Sequence, residues 1–541
     1  MTRSLSICLI NPRFQPSFWG REHALPLMPG DKRAWTLAGG LPLLAALVPE
    51  GHRVTLIDES VDVLDIDALR EFDVIGLTGM IVQRDRMRDI LLALQPLPGR
   101  VVVGGPYASI DEGFFDGLCD AIFVGEADTT WPAYLTGLAA GHDPGYRHEQ
   151  PSPTDLSTLP PARLDLLKGR HYMSASLQYS RGCPFTCEFC DIIVIFGRRP
   201  RVKTPDQIVA ELDSIRQAGF GICFIVDDNF IGNKVAVKKM LPAIIDWQER
   251  HGYPLILSTE ATLNLADDPD LMELMYRANF REVFVGIESP RAESLMETRK
   301  LQNIRGDSMA AKLDRIRDAG LVVSAGFIVG FDEDDADIFE EQYRFIEDNH
   351  LGQVSLGMLM ALPRTPLHAR LAAEGRLVEE DAVCNFVPRQ LSRDALVEGC
   401  AALLRRLYTA DAFFGRIRRN MEASEAFRRR RAAIIARSRQ SRGRVARRMS
   451  ELAACIVMTW RLAGAARRAG CLRQATAMYV QQYRHQARAA SGQRLPLSVF
   501  LSLCILHWHH FRLTQSGPDA ARRSMNYFNA APVPDGREPA E

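Results

Sequence analysis

No stretch of this 541-residue chain approaches the roughly 18 to 20 uninterrupted apolar residues needed to span a bilayer; the nearest, residues 497–508, is too short. Charge of one sign is not in excess either. Lys+Arg and Asp+Glu each number 66, so the overall balance gives no reason to expect nucleic acid as a partner. The start of the chain offers one early Arg3 and a short apolar run, 7–10, which reads better as a strand than as the core of a signal peptide. An unexported, cytoplasmic protein is expected, soluble or at most peripheral at the inner face of a membrane. A disulfide framework is also missing, because the 11 cysteines are scattered except for one tight cluster. Cys8, Cys119, Cys223, Cys384, Cys400, Cys455, Cys471 and Cys504 read as small buried hydrophobes. The first strand is followed by Asn11-Pro12-Arg13-Phe14 rather than a glycine fingerprint, which disfavours a nicotinamide or flavin domain.

What is present is two successive alternations of strand and helix. Strands are expected at 5–10, 53–57, 74–77, 101–103 and 121–124, the pattern of a doubly wound parallel sheet. Ligands of such sheets lie beyond the carboxyl ends of the strands, around Asn11, Asp58, Thr78, Gly104 to Tyr107 and Gly125 to Asp128. A loop over 15–33 carries Phe18 and Trp19, which either cover a flat ligand or pack. Pro, Asp, His and Gly then mark a linker over 141–170.

The second alternation predicts six strands, at 174–179, 222–226, 255–257, 283–285, 321–329 and 354–358. Six β/α units imply a partial parallel barrel that works at its carboxyl rim. Thr204-Pro205 signs a helix start, Ile208, Leu212 and Ile215 its apolar face, and Gly219 its end. From about 391 apolar residues recur at helical spacing, as in Leu396, Cys400, Leu403, Leu404 and Leu407. The tail over 516–541 has the composition of a disordered segment.

The chemistry concentrates in Arg181-Gly182-Cys183-Pro184-Phe185-Thr186-Cys187-Glu188-Phe189-Cys190. Three thiolates within eight residues can hold three corners of one cubane cluster and leave one iron open. Zinc is the structural alternative, but a closed zinc site wants four ligands, and no second Cys/His pair follows.

Cys183, Cys187 and Cys190, with Phe189 before the last cysteine, resemble the signature of the radical S-adenosylmethionine superfamily. That resemblance implies a 4Fe-4S cluster on the three cysteines and S-adenosylmethionine on its open iron. It further implies a reducing electron donor such as flavodoxin or ferredoxin. Asp227, Asp228 and Asn229 match the place where the family binds the methionine amino group, in lieu of Gly-Gly-Glu. Glu260, Glu288 and Ser289 stand where it contacts ribose and carboxylate, and Gly326 and Gly330 where it approaches adenine.

The preceding α/β domain resembles the superfamily's cobalamin-binding module. Thr78-Gly79-Met80 is similar to its S-x-L element and Gly104-Gly105-Pro106 to its glycine pair, with Gly125-Glu126 a turn toward the corrin side chains. The D-x-H-x-x-G motif of a lower axial histidine is absent, Asp58 being followed by Glu59 and Ser60. Gly79 to Gln83, Ala361 to Pro366 and the stretch 407–414 resemble the group of hopanoid C-2 methylase, bacteriochlorophyll methyltransferases and anaerobic oxidative cyclases.

The expectation is an α/β enzyme. It has a Rossmann-like cobalamin domain at 1–140, a linker at 141–170, a partial (β/α)6 TIM-like barrel at 171–390, a C-terminal α-helical domain at 391–515 and a tail at 516–541. Its reaction is methylation of an unactivated carbon in a lipid-like or tetrapyrrole-like small molecule. Radical cyclisation without methyl transfer is the alternative, and a non-catalytic cobalamin or redox sensor the alternative of another class. The arginine-rich run from Arg428 to Arg448 reads first as a solvated basic helix and second as a dock for anionic headgroups. His507, His509 and His510 read as packing or capping groups. Which residue acts as an acid or base on the substrate is not legible.

Overall fold

The computed structural model of the protein describes residues 3–378, 384–439, 444–487 and 495–515. The expected tail over 516–541 lies outside the described residues. Seven short strands precede residue 150: β1 (Ser6–Asn11), β2 (Ala34–Thr36), β3 (Arg53–Asp58), β4 (Val74–Thr78), β5 (Arg100–Gly104), β6 (Ala121–Val124) and β7 (Arg147–Glu149). Six of them form a parallel sheet in the order β3-β1-β4-β5-β6-β7. Every residue of β1 is buried because helices cover both sheet faces. The two-residue period sends Cys8 and Ile10 to one core with Met87, Ile90 and Leu94, and Ile7 and Leu9 to the other with Leu41, Trp131 and Leu135. The stretch 141–170 is not all connection, since it supplies β7.

The second sheet begins with β8 (Tyr172–Leu177). A two-residue antiparallel pair follows, β9 (Ser180–Arg181) with β10 (Arg201–Val202), and then β11 (Ile222–Ile225), β12 (Ile256–Ala261), β13 (Phe280–Glu288), β14 (Val322–Val329) and β15 (Gln353–Met358). The order β15-β14-β13-β12-β11-β8-β2 is the expected six-unit partial barrel plus one strand. The extra strand, β2, comes from the amino-terminal domain and pairs in parallel with β8, Ala34 opposite Tyr172 and Thr36 opposite Ser174. Three residues carry too little alternation to be seen in the sequence. The helix Pro205–Gln217 follows its signals: Thr204 Oγ1 accepts from Gln207 N in a capping box, Ile208, Leu212 and Ile215 are buried, and Gly219 has φ 83°.

Among the described residues, those from Arg393–Leu407 to Leu497–Thr514 are almost all helical. Arg416 is fully buried, donating to Leu351 O and Leu407 O at 2.8 Å each and pairing with Glu347 at 2.6 Å. The last helix is interior: His507 bonds Tyr479 Oη and Tyr408 O, and His509 bonds Ser17 O. Among the described residues no helix is long and apolar enough to cross a membrane.

β8 lies across the carboxyl rim of the first sheet and is tied at both ends. Tyr172 Oη donates to Asp58 Oδ2 at 2.9 Å at the end of β3. Beyond the other end, Arg181 pairs with Asp128 and with Glu126 at 2.8 Å after β6, and Arg201 adds a contact to Glu126 at 2.9 Å. Arg181, Glu126 and Asp128 are buried and Arg201 is half-buried, so removing Arg181 strands the two carboxylates. Arg181→Met is expected to cost about 3 kcal/mol in urea denaturation. The triple variant that adds Glu126→Gln and Asp128→Asn should recover most of that loss. Equal losses in both variants would show that the clamp is not electrostatic.

Candidate active site

The cysteine loop leaves the barrel just past β8 and is closed at its base by the β9–β10 pair. Gly182 permits this, with φ 95° and a position where a Cβ would stand 2.9 Å from Gly197 O and 3.0 Å from Arg199 O. Cys187 is buried, Cys183 and Cys190 are half-buried, and none forms a disulfide. Burial pushes the Cys183 thiol up and the Cys190 thiol up to about 12, with Cys187 close enough to add to both. Cationic irons reverse that preference, because a coordinating thiol is deprotonated by the metal.

Among the described residues no three Cys, His, Asp or Glu side chains converge as ligands of one metal ion do. A single zinc with bonds of about 2.3 Å draws its sulfurs together, whereas a cubane takes each thiolate on a different iron. Three thiols on one loop, two of them beside amide donors, suit the cubane. Gln302 Nε2 lies 3.6 Å from Cys187 Sγ and Asn229 Nδ2 3.8 Å from Cys183 Sγ, donors that favour thiolate.

The carboxyl ends of β11, β12 and β13 add an acidic arc. Asp227 is committed to the fold, accepting from Tyr179 N and Ser180 Oγ at 2.7 Å each. Asp228 is different. Its Oδ2 is buried without a hydrogen-bond partner, which suits a cationic donor, and burial followed by Asp227 lifts its carboxyl to about 7. Glu260 rises to about 8 through burial and then Asp228 and Asp227. Glu288 sits at φ 65° at a register shift between β13 and β14, strain that aims its carboxylate at Lys300 Nζ, 2.6 Å away. Burial alone would lower the Lys300 ammonium, but Glu288, Cys187 and Cys190 outweigh it and hold it above its ordinary value.

Ser289 is buried and its Oγ accepts from Arg291 N. Gly326 leaves room for the Phe284 ring, 2.8 Å from where a Cβ would stand. Gly330, at φ 108°, begins a turn whose amides are held by Asp334. Lys300 and Gln302 were not singled out from the sequence, because polar residues in a short helix between strands carry no distinguishing pattern.

At the first sheet, three turns meet. Gly105 has φ 93°, and a Cβ on it would stand 2.2 Å from Thr78 Oγ1, so the two turns touch. Tyr107 N donates to Gly79 O, just past the Pro106 that opens its helix. Ser109 Oγ donates to Gly105 O and accepts from Gly125 N, joining the third turn. Gly104 packs over Phe123. Gly125, at φ 72°, has open space where a side chain would be, whereas the Glu126 carboxylate is turned to Arg181 and Arg201. Met80 is exposed, its N held by Gln83 Oε1, with Gln83 in turn bonded to Asn11 and Asn11 to Asp58.

One cavity of 2810 Å³ joins the two rims, lined by Asn11, Ser60 and Met80 on one side and by Val226, Glu260 and Phe284 on the other. That exceeds the roughly 300 to 1,000 Å³ of a small-ligand site. The volume, the open space over Gly125 and the Thr78–Gly105 contact fit a large cofactor beside the sheet.

A Rossmann-like sheet followed by a parallel partial barrel, with the cysteine loop after its first strand, defines the fold class of radical S-adenosylmethionine enzymes. Residues 177–346 match the family model of the radical SAM superfamily, and residues 365–520 match a domain of unknown function, DUF4070. The chain is 40% identical over 395 residues to an uncharacterized methyltransferase of Synechocystis sp., covering 71% of this chain and 73% of that protein. It is 35% identical over 422 residues to the hopanoid C-2 methylase of Rhodopseudomonas palustris, covering 76% and 79%. Its fold matches the cobalamin-dependent S-adenosylmethionine radical enzyme OxsB, solved with aqua-cobalamin, at a TM-score of 0.59 and 15% identity, over 87% of this chain and 76% of that one. The chain belongs to the radical SAM superfamily.

A cationic ligand binds best when Glu260 and Asp228 are ionised, so the complex holds fewer protons than the free protein. The affinity for S-adenosylmethionine is therefore expected to strengthen from about pH 6 to about pH 8, by up to roughly tenfold per unit for each proton released. Calorimetry across that range checks this, and Glu260→Gln should flatten the slope.

Proposed function

We propose that this chain is a cobalamin-dependent radical S-adenosylmethionine C-methyltransferase, acting on an unactivated carbon of a lipid-like or tetrapyrrole-like molecule. The observation that carries the reading is a cavity that reaches both the loops at Asn11, Ser60 and Met80 of the first sheet and Glu260 of the acidic arc. The methylases among its relatives support the reaction class. When bound, the cluster with S-adenosylmethionine supplies a radical that breaks a C–H bond, and cobalamin supplies a transferable methyl group.

The residues divide the work. Cys183, Cys187 and Cys190 would hold the cluster. Asp228, Asn229 and Glu260 would receive the amino group and ribose of S-adenosylmethionine, and Lys300, balanced by Glu288, its carboxylate. Ser289, Gly326 and Gly330 would line the nucleoside. Thr78, Met80, Gly104, Gly105, Pro106 and Gly125 would border cobalamin, with Glu126 joining through the clamp. Trp19, Trp35, Phe224 and Phe284 line the cavity and keep water from the reacting carbon. In this reading 1–140 binds cobalamin, 171–390 binds S-adenosylmethionine and 391–515 covers the substrate. A flavodoxin or ferredoxin would deliver the electron.

We place the enzyme in the cytoplasm, touching the inner face of the membrane. None of the described cysteines is in a disulfide, as a reducing compartment requires. The helix Arg444–Arg468 exposes Met449, Leu452, Ile456 and Trp460 at helical spacing, with exposed Arg467 and Arg468 near its end, an apolar stripe with cations that suits an anionic lipid surface.

Anaerobically reconstituted wild-type protein with dithionite should form 5′-deoxyadenosine and add one methylene unit to its substrate. Cys183→Ala should lose the iron–sulfur absorbance and both products. A product that loses hydrogen without gaining carbon would replace methyl transfer with cyclisation. In flotation, the protein should follow anionic vesicles in a salt-sensitive way, and Trp460→Asp should weaken that recovery severalfold. Recovery indifferent to both salt and Trp460 would refute the membrane contact.

A further inference from the structure

The amino-terminal end of the barrel cavity is built from three guanidinium groups brought together from distant parts of the chain: Arg21, Arg281 and Arg431. Arg281 stands at the start of β13. Arg21 is stacked 3.6 Å over the Trp35 ring of β2 and donates to Gln353 Oε1, at the start of β15, at 3.2 Å. Arg431 comes from the helix Glu425–Arg439, and its Nη1 is buried without a hydrogen-bond partner. Among the described residues none of the three has a carboxylate within ion-pair distance of 4.0 Å.

The acidic groups facing this end offset only part of the charge. Glu282, hydrogen-bonded to Ser324 Oγ, acts on both Arg21 and Arg431, one carboxylate against three guanidiniums, and Glu22 accepts from Ser17 N. Burial outweighs that attraction and lowers Arg21 to about 10, and burial with the neighbouring Arg431 lowers Arg281 to about 10. Leaving such groups buried and unpaired is costly, and a bound anion removes that cost.

Between the two ends Phe224, Ile256, Phe284 and Val322 make most of the wall, interrupted by the hydroxyls of Ser174, Ser258 and Ser324. From Glu282 to Glu288 the strand rises by roughly 20 Å at its per-residue advance. Within the barrel the cavity thus runs from a basic end, along a mainly apolar wall, to Glu260 near the carboxyl rim.

We propose that Arg21, Arg281 and Arg431 form an anion subsite, and that the substrate is an amphiphile whose carboxylate or phosphate is held there while the carbon to be methylated lies at the far end of an apolar body. This deepens the methyltransferase reading and rests on it. The subsite itself is testable by binding alone, without cluster or cobalamin.

The probes are cis-parinaric acid and its methyl ester, titrated by fluorescence into the full chain. The acid should bind saturably and at least about tenfold more tightly than the ester, the order of one charge-assisted hydrogen bond. Arg281→Gln/Arg431→Gln should lose that preference while binding the ester as the wild type does, which also reports an intact cavity. Arg281→Lys/Arg431→Lys should retain the preference. Dodecyl phosphate should displace the acid at concentrations far below those needed of inorganic phosphate. Equal affinity for acid and ester, a preference that survives the glutamine changes, or equal displacement by inorganic phosphate would each overturn the subsite. If the binding results stand and no methyl group is transferred, the failure lies in the assigned reaction and not in the subsite.

Discussion

Strand β8 is fastened across the carboxyl rim of one parallel sheet while serving as an inner strand of another. Tyr172 reaches Asp58 from its first residue, and Arg181, four residues beyond its last, reaches Asp128 and Glu126. A parallel sheet must expose its ligand-binding turns at its carboxyl edge. Laying β8 on that edge therefore gives the loops at Asn11, Ser60 and Met80 and the inner face of the barrel a common space. Paired charges at such a joint set position more than stability, because desolvation offsets much of their attraction. β2 reinforces the joint from the other side, since the chain leaves the first sheet after β1, pairs with β8 and returns to make β3.

The parts of this arrangement that are local in sequence were legible. Thr204-Pro205 and Gly219 marked the ends of a helix, and the cysteine spacing marked the loop, because caps and ligand spacings are written within a few residues. The parts created by tertiary contact were not. Lys300 becomes distinctive only beside Glu288 and Cys187, and Ser109 only between two turns. Glu126, read as a turn residue bordering a ligand, has its carboxylate filled by Arg181 and Arg201, partners 55 and 75 positions away.

The strained residue at the site follows the same logic. A non-glycine backbone at φ 65° persists only where its surroundings over-determine it. At Glu288 the register shift of β13, the Lys300 ion pair and a contact from Gln342 Nε2 to Glu288 O all act together. Gly286 completes the set, because a Cβ there would stand 2.2 Å from the Glu288 carboxylate and 2.9 Å from Lys300 Nζ. Pre-organised charges at a rim lower the reorganisation needed when a charged ligand arrives.

The arginine-rich run shows why composition cannot assign function by itself. As sequence, Arg428 to Arg431 are equivalent members of one basic patch. In the fold Arg428 donates to the carbonyls of Met421 and Glu422, Arg429 pairs with Glu425, and Arg430 pairs with Glu273 over the Tyr276 ring. Only Arg431 turns into the cavity. A helix advances about 100° per residue, so four successive arginines must point in four directions, and a run of like charge is divided among different surroundings. The surroundings, not the run, decide which cation is a cap, which is a surface pair and which faces the cavity.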